Sequence, residues 1–81
     1  MSVDVRDAIV AELGARGFAL SAAEHELDLI SAGVNSAALI QVLSALEEVF
    51  DVDLDTERLF EARVTVTRLE SEITRALASS P

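Results

Sequence analysis

The stretch from Ser36 to Phe50 constrains this chain most, because its apolar positions repeat with the period of a helix. At about 100° per residue, Leu39, Val42, Leu43, Leu46, Val49 and Phe50 fall on one side of a wheel. Ala37, Ile40, Gln41, Ser44, Glu47 and Glu48 fall on the other. The first set predicts a stripe buried in a core. The second predicts a face shown to solvent or to a partner. A single stripe must be covered by other elements, so the rest of the chain has to supply more apolar faces.

It supplies them as helices. Val5, Ile9 and Leu13 stand four residues apart and predict a first helix over about Val3 to Ala15, with Gly17 as its stop. Asp4 and Asp7 sit early and Arg16 late, as the helix dipole favours. Between Gly17 and Asn35 the helical period fades. A loop this long needs anchors, and Phe18, Leu20, Leu27, Leu29 and Ile30 are expected to plug into the core. Asp51 to Asp55 reads as a connector holding Val52 and Leu54 inward. Asp55 or Thr56 is expected to cap a short helix through about Ala62, with Leu59 and Phe60 buried. Thr65 caps a last helix, about Val66 to Ala78, whose stripe is Val66, Leu69, Ile73 and Leu77. Thr67 with Glu70 offers a second capping box. Residues 79–81 read as a frayed tail. The expectation is an all-α fold: a small four-helix bundle with three main helices, one short third helix and a long structured loop after helix one. It forms a single domain over residues 1–81.

Composition narrows the function. Fifteen acids stand against six basic residues, all arginine, for a net charge of -9. Such a chain repels nucleic-acid phosphates, so no nucleic acid is expected among its partners. There is no cysteine and one histidine, His25, so Cys–His and multi-His constellations cannot be built, and no metal site is expected. His25 reads as a solvated loop residue between Glu24 and Glu26. No nucleophile elbow is present, and no catalytic residue is assigned. Nothing is long and apolar enough to span a membrane, and the N-terminus carries acids where a signal peptide would carry bases. A cytoplasmic, monomeric protein is expected.

One junction carries more information, Gly33-Val34-Asn35-Ser36-Ala37 at the head of the strongest helix. Helix N-termini hold unpaired N–H groups and partial positive charge, so a phosphate on Ser36 would sit in a favourable field. Asn35 and Ser36 are also both good caps, and a cap needs no further function. Local geometry leaves both readings open.

The wider pattern reaches further. Leu29 to Ile40 is followed by Leu43, by Leu46-Glu47-Glu48-Val49-Phe50 and by Val52-Asp53-Leu54. This order resembles the acyl carrier protein family, whose members read D-L-x-x-L-G-x-D-S-L before a helix ending in L-E-x-x-F-x-x-x-(I/L). The likeness extends through Leu59-Phe60 to Thr65-Val66 and Leu69, and covers about Val3 to Leu77.

The resemblance implies that Ser36 accepts 4′-phosphopantetheine from coenzyme A through a phosphopantetheinyl transferase using Mg²⁺. The arm's thiol would carry an acyl or aminoacyl group as a thioester. Partners would include an acyl- or aminoacyl-loading ligase, a ketosynthase or an acyltransferase. Asp28 matches an acid common upstream in the loop and takes no role beyond capping or solubility. Two positions depart from the family: Asn35 stands for the usual Asp and Ala37 for the usual Leu. They point to specialised partners, as in polyketide metabolism, and Ile40 inherits the apolar contact of the missing Leu. Asn35, Ala37, Ile40, Gln41, Ser44, Glu47 and Glu48 form the expected docking surface. Glu47, Glu48 and Asp51 crowd a helix C-terminus, where negative charge costs about 0.3–1 kcal/mol per group. The ending at Pro81 favours a discrete protein over a segment of a megasynthase. The alternative is a small acidic helical interaction module with no prosthetic group.

Overall fold

The computed structural model describes residues 4–21 and 24–79. Four helices run in order: α1 (Val5–Ala15), α2 (Ser36–Phe50), α3 (Thr56–Phe60) and α4 (Val66–Ser79). The helix order matches the expectation, and α2 has the expected ends. α3 stops at Phe60, short of Ala62, and α4 continues through Ser79. Residues 80 and 81 of the expected tail lie outside the described residues, as do residues 1–3.

Each boundary has a local cause. The Asp4 carboxylate accepts the Arg6 N–H at 3.0 Å and opens α1. Gly17 (φ 91°) closes it: its N–H returns to Gly14 O and the Phe18 N–H to Leu13 O. That double wrap needs the left-handed backbone that glycine adopts freely. α2 ends by a similar wrap without glycine. Asp51 takes φ 53° and the Val52 N–H reaches back to Glu47 O. Asp55 caps α3 through the Arg58 N–H, and Thr65 caps α4 through the Arg68 N–H at 3.0 Å.

The core joins all four helices and the loop. Its fully buried members are Ile9 and Leu13 of α1, Leu39, Val42, Leu43 and Leu46 of α2, Leu59 of α3, and Val66, Leu69 and Ile73 of α4. Leu29, Val34 and Val64 complete it from the connecting segments. Phe18, Leu20, Phe50 and Leu54 pack around the edge.

Five expected core residues face outward instead: Leu27, Ile30, Val49, Phe60 and Leu77. Val49 stands about 80° off the Leu39 line at 100° per residue, at the stripe's edge and in the last turn. Leu77 lies on its stripe, but in the final turn of a 14-residue helix that packs most against the 11-residue α1. Phe60 is the last residue of a five-residue helix whose one inward position is taken by Leu59. Leu27 and Ile30 sit in successive tight turns (Leu27 N–H to Glu24 O, Gly33 N–H to Ile30 O), where side-chain direction changes at each residue and only Leu29 and Val34 aim inward.

Polar contacts then fix the loop. The Leu29 N–H donates to Val64 O at 2.8 Å and the Thr67 N–H to His25 O at 3.3 Å. Arg6 reaches across from α1. Its guanidinium donates to Glu70 Oε1 at 2.8 Å, to Thr67 Oγ1 at 3.2 Å and to His25 Nδ1 at 3.3 Å. The hydrogen bond and charge of Glu70 raise the Arg6 pKa above its ordinary value. Two expectations are corrected here. His25 is half-buried between α1 and α4, not a solvated loop residue. Thr67 and Glu70 serve Arg6 and the loop, not a capping box; Thr67 also donates to Glu26. Ser21, through its N–H and hydroxyl, holds the Glu24 carboxyl below the usual carboxylate range.

α3 is tied down by one buried side chain and one guanidinium. Arg68 donates to Leu59 O at 2.6 Å, Arg58 O at 3.0 Å and Arg63 O at 3.0 Å. It thereby satisfies carbonyls at the end of a helix too short to pair them itself.

The packing predicts a contrast within one helix. Leu46→Ala should cost about 2–5 kcal/mol, since it empties a fully buried site. Val49→Ala should stay within about 1 kcal/mol, because that side chain is 54% exposed. Urea unfolding of both variants reads the difference; equal losses would contradict the assigned core.

Candidate functional site at the head of α2

The segment before α2 is built to hold its first residues in one place. Asp28 accepts the Ile30 N–H and the Ser31 hydroxyl, closing a turn that the Ala32 N–H to Asp28 O bond continues. This is the local capping role expected of Asp28. The chain then reverses at Gly33 (φ 109°), and the Val34 N–H returns to Leu29 O at 2.9 Å. Val34 and Leu39 are both fully buried, so the residues between them are anchored on either side. Asn35, Ser36 and Ala37 are left exposed.

The choice of cap is now decided. Asn35 Oδ1 accepts the Ala38 N–H at 2.8 Å, and Asn35 O accepts the Leu39 N–H at 3.0 Å. Asn35 is the cap and Ser36 is the first helical residue. The Ser36 hydroxyl makes no hydrogen bond with the described residues, and the N–H groups of Ser36 and Ala37 are also without partners among them. No acidic residue occupies the first turn of α2. The result is an exposed, uncommitted hydroxyl beside two unpaired donors at the positive end of a 15-residue helix. This chemistry fits a phosphate ester on Ser36. Ser36 would hold the group covalently, and the free N–H groups would face its oxygens.

The other expected site residues lie along the same helix. Ile40, Gln41, Ser44 and Glu48 are exposed, as are Asn35 and Ala37. Glu47 differs: it is half-buried, and its carboxylate accepts the Leu54 N–H at 2.9 Å, which holds the connector to α3. Ser44, Glu47 and Glu48 meet Asp51, Val52 and Asp53 around an open depression of about 410 Å³. The helix rise puts Glu48 about 18 Å from Ser36 along the axis, at 1.5 Å per residue. The expected surface is thus two regions joined by Ile40 and Gln41. Asp51 in the depression takes a left-handed backbone (φ 53°), which sequence reading missed although aspartate is among the few non-glycine residues that adopt it; its place just after the last helical residue was the available signal.

Comparison with known proteins bears on this arrangement. The phosphopantetheine attachment site family matches residues 4–73, from the α1 cap to Ile73 of α4. The chain belongs to that family of carrier proteins. Its members carry 4′-phosphopantetheine covalently on a serine and present cargo to other enzymes. They interact with phosphopantetheinyl transferases and biosynthetic enzymes, and are in general carriers rather than catalysts. No curated protein and no solved structure matches the chain. None of the helices among the described residues is long and apolar enough to cross a membrane.

Substitutions at two positions test the local assignments. Asn35→Ala should cost about 0.5–2 kcal/mol, while Asn35→Asp should keep most of the cap, since both side chains accept the same N–H. Asp51→Asn should stabilise the protein by about 0.3–1 kcal/mol, because it removes negative charge from a helix C-terminus and tolerates the left-handed backbone. Chemical denaturation measures both; destabilisation by Asp51→Asn would show that the carboxylate has a favourable partner.

Proposed function

We propose that Ser36 bears the 4′-phosphopantetheine arm and that the protein carries acyl or aminoacyl intermediates on it as thioesters, in polyketide or other specialised metabolism. The observation that supports this most is the division of labour at the head of α2. Asn35 does the capping, and the Ser36 hydroxyl stays exposed, with no hydrogen bond to the described residues, in an anion-favouring field. A serine needed for structure would spend its hydroxyl on the Ala38 N–H; here Asn35 holds that donor.

A transferase brings coenzyme A to this hydroxyl, which forms the phosphodiester as the nucleotide half departs. Ser36 needs little from its own chain for that step. Exposure admits the transferase, and the buried Val34 and Leu39 keep the nucleophile where the enzyme meets it. With no cysteine in the chain, the arm supplies the thiol the thioester needs. One glycine before the serine (Ala32-Gly33) favours an acyl over a peptidyl cargo. The reading places the protein in the cytoplasm, as a monomer.

The partner surface is the exposed side of α2: Asn35, Ala37, Ile40, Gln41, Ser44 and Glu48, with Glu47 behind them. Acids gathered at the helix's C-terminal end work against the dipole, which favours a use in meeting basic enzyme surfaces. Glu47 contributes through the position of the connector as much as through its charge, because Leu54 holds its carboxylate. Asn35 and Ala37 remove an anion and an apolar knob beside Ser36, which points away from the partners of housekeeping fatty-acid synthesis.

Intact-mass spectrometry after incubation with coenzyme A, Mg²⁺ and a promiscuous transferase should show one added phosphopantetheinyl group, absent in Ser36→Ala. A wild-type protein that stays unmodified would favour the acidic interaction module. Glu48→Lys should lower transferase kcat/KM several-fold at low salt and less at high salt, as screening predicts. Unchanged kcat/KM would remove the acidic end from the docking surface.

A further inference from the structure

The chain has six arginines among fifteen acids, and four are committed. Arg6 pairs with Glu70 at 2.8 Å, Arg16 with Glu12 at 2.9 Å and Arg75 with Glu72 at 3.7 Å. Arg68 spends its guanidinium on three carbonyls. Arg58 and Arg63 remain. Both are exposed, and among the described residues neither side chain makes an ion pair or hydrogen bond.

Their backbone connections differ. Arg63 immediately precedes Val64, whose carbonyl accepts the Leu29 N–H at 2.8 Å; Leu29 O in turn accepts the Val34 N–H at 2.9 Å. Val34 is two residues from Ser36. The carbonyl of Arg63 is itself held by Arg68 at 3.0 Å. The backbone of Arg63 is therefore stitched to the segment that presents Ser36, while its side chain is left free. Arg68 holds the Arg58 carbonyl as well, so the difference between the two lies in the stitch alone: Arg58 sits within α3, six residues before Val64.

We propose that Arg63 is the intramolecular partner of the phosphodiester on Ser36, an inference that rests on the reading of Ser36 given above. A phosphodiester brings one negative charge and acceptor oxygens that suit the guanidinium fork. It would be the first anion in the opening turn of α2, which has no acidic residue. The unpaired N–H groups of Ser36 and Ala37 serve it from the helix side, and Arg63 serves it from the α3–α4 turn. The contact steadies the root of the arm and leaves its thiol end mobile.

The test uses the protein before and after loading with coenzyme A and a transferase. In ¹H–¹⁵N spectra of the wild type, the Arg63 Nε–Hε resonance should shift and lose fast motion on loading, while that of Arg58 should not. Loading should raise the melting temperature of wild type and Arg58→Gln, but not of Arg63→Gln. The gain should vanish at about 1 M salt, where the screening length falls to about 3 Å. A loaded protein of correct mass whose Arg63 resonance stays unmoved would overturn the inference and leave Ser36 standing. Equal behaviour of the two variants would also overturn it, by showing a general field effect. No mass gain at all would overturn both readings. The wild-type spectrum decides the matter even if a variant folds poorly.

Discussion

The hydrogen bond from Leu29 to Val64, with the burial of Leu29 and Val34 around it, is the constraint on which the rest of the molecule depends. A long loop in a small bundle loses about 1–2 kcal/mol of backbone entropy for each residue it orders. Few apolar contacts are available to offset that loss. Two buried side chains and one backbone bond join the loop to the turn before α4, and Arg6 and Thr67 fasten it again at His25. Without these ties Asn35 and Ser36 would follow an unrestrained segment. With them, the backbone on either side of a surface serine is anchored in the core through Val34 and Leu39.

The parts legible in the sequence were those governed by period. α2 was readable to the residue, because fifteen positions carry one repeating pattern and a cap precedes them. Leu39, Val42, Leu43 and Leu46 were readable for the same reason. Period fixes a face but not what lies opposite it, and so Val49 and Leu77 were placed inside although the packing leaves them half in water. The loop has no period. Leu27 and Ile30 looked as apolar as Leu29, and only the turns decide which of them faces in. The Arg6 network joins residues 61 and 64 positions apart, and no local spacing reports such pairs. At the site, two residues suited to one cap were adjacent. Sequence could name both, and only geometry could assign the work to Asn35 and free Ser36.

The two ends of α2 are treated in opposite ways. Its N-terminus has no acid to use the helix field, and its C-terminus gathers Glu47, Glu48 and Asp51 against that field. Reversing this arrangement would stabilise an isolated helix. Asp51 adds a second cost by holding a left-handed backbone where glycine would be strain-free. Stability that is forgone at both ends of α2 supports the proposal that partner enzymes read this helix. The N-terminal vacancy leaves room for an anion to be added. The C-terminal surplus supplies anions of the protein's own.

Arg63 belongs to the same logic from the opposite sign. The chain carries fifteen acids, yet among the described residues the Arg63 side chain pairs with none of them. Arg68 provides the instructive contrast: it sits a few residues away and places all its bonding on backbone carbonyls. One guanidinium thus builds the turn, and the other belongs to the residue before Val64, whose carbonyl is bonded to the loop that leads to Ser36. A phosphate attached there would meet donors on two sides, from the head of α2 and from the turn before α4. The long loop, the stitch at Val64 and the clamp at Arg68 would then serve one purpose, which is to keep the root of the arm still while its far end moves.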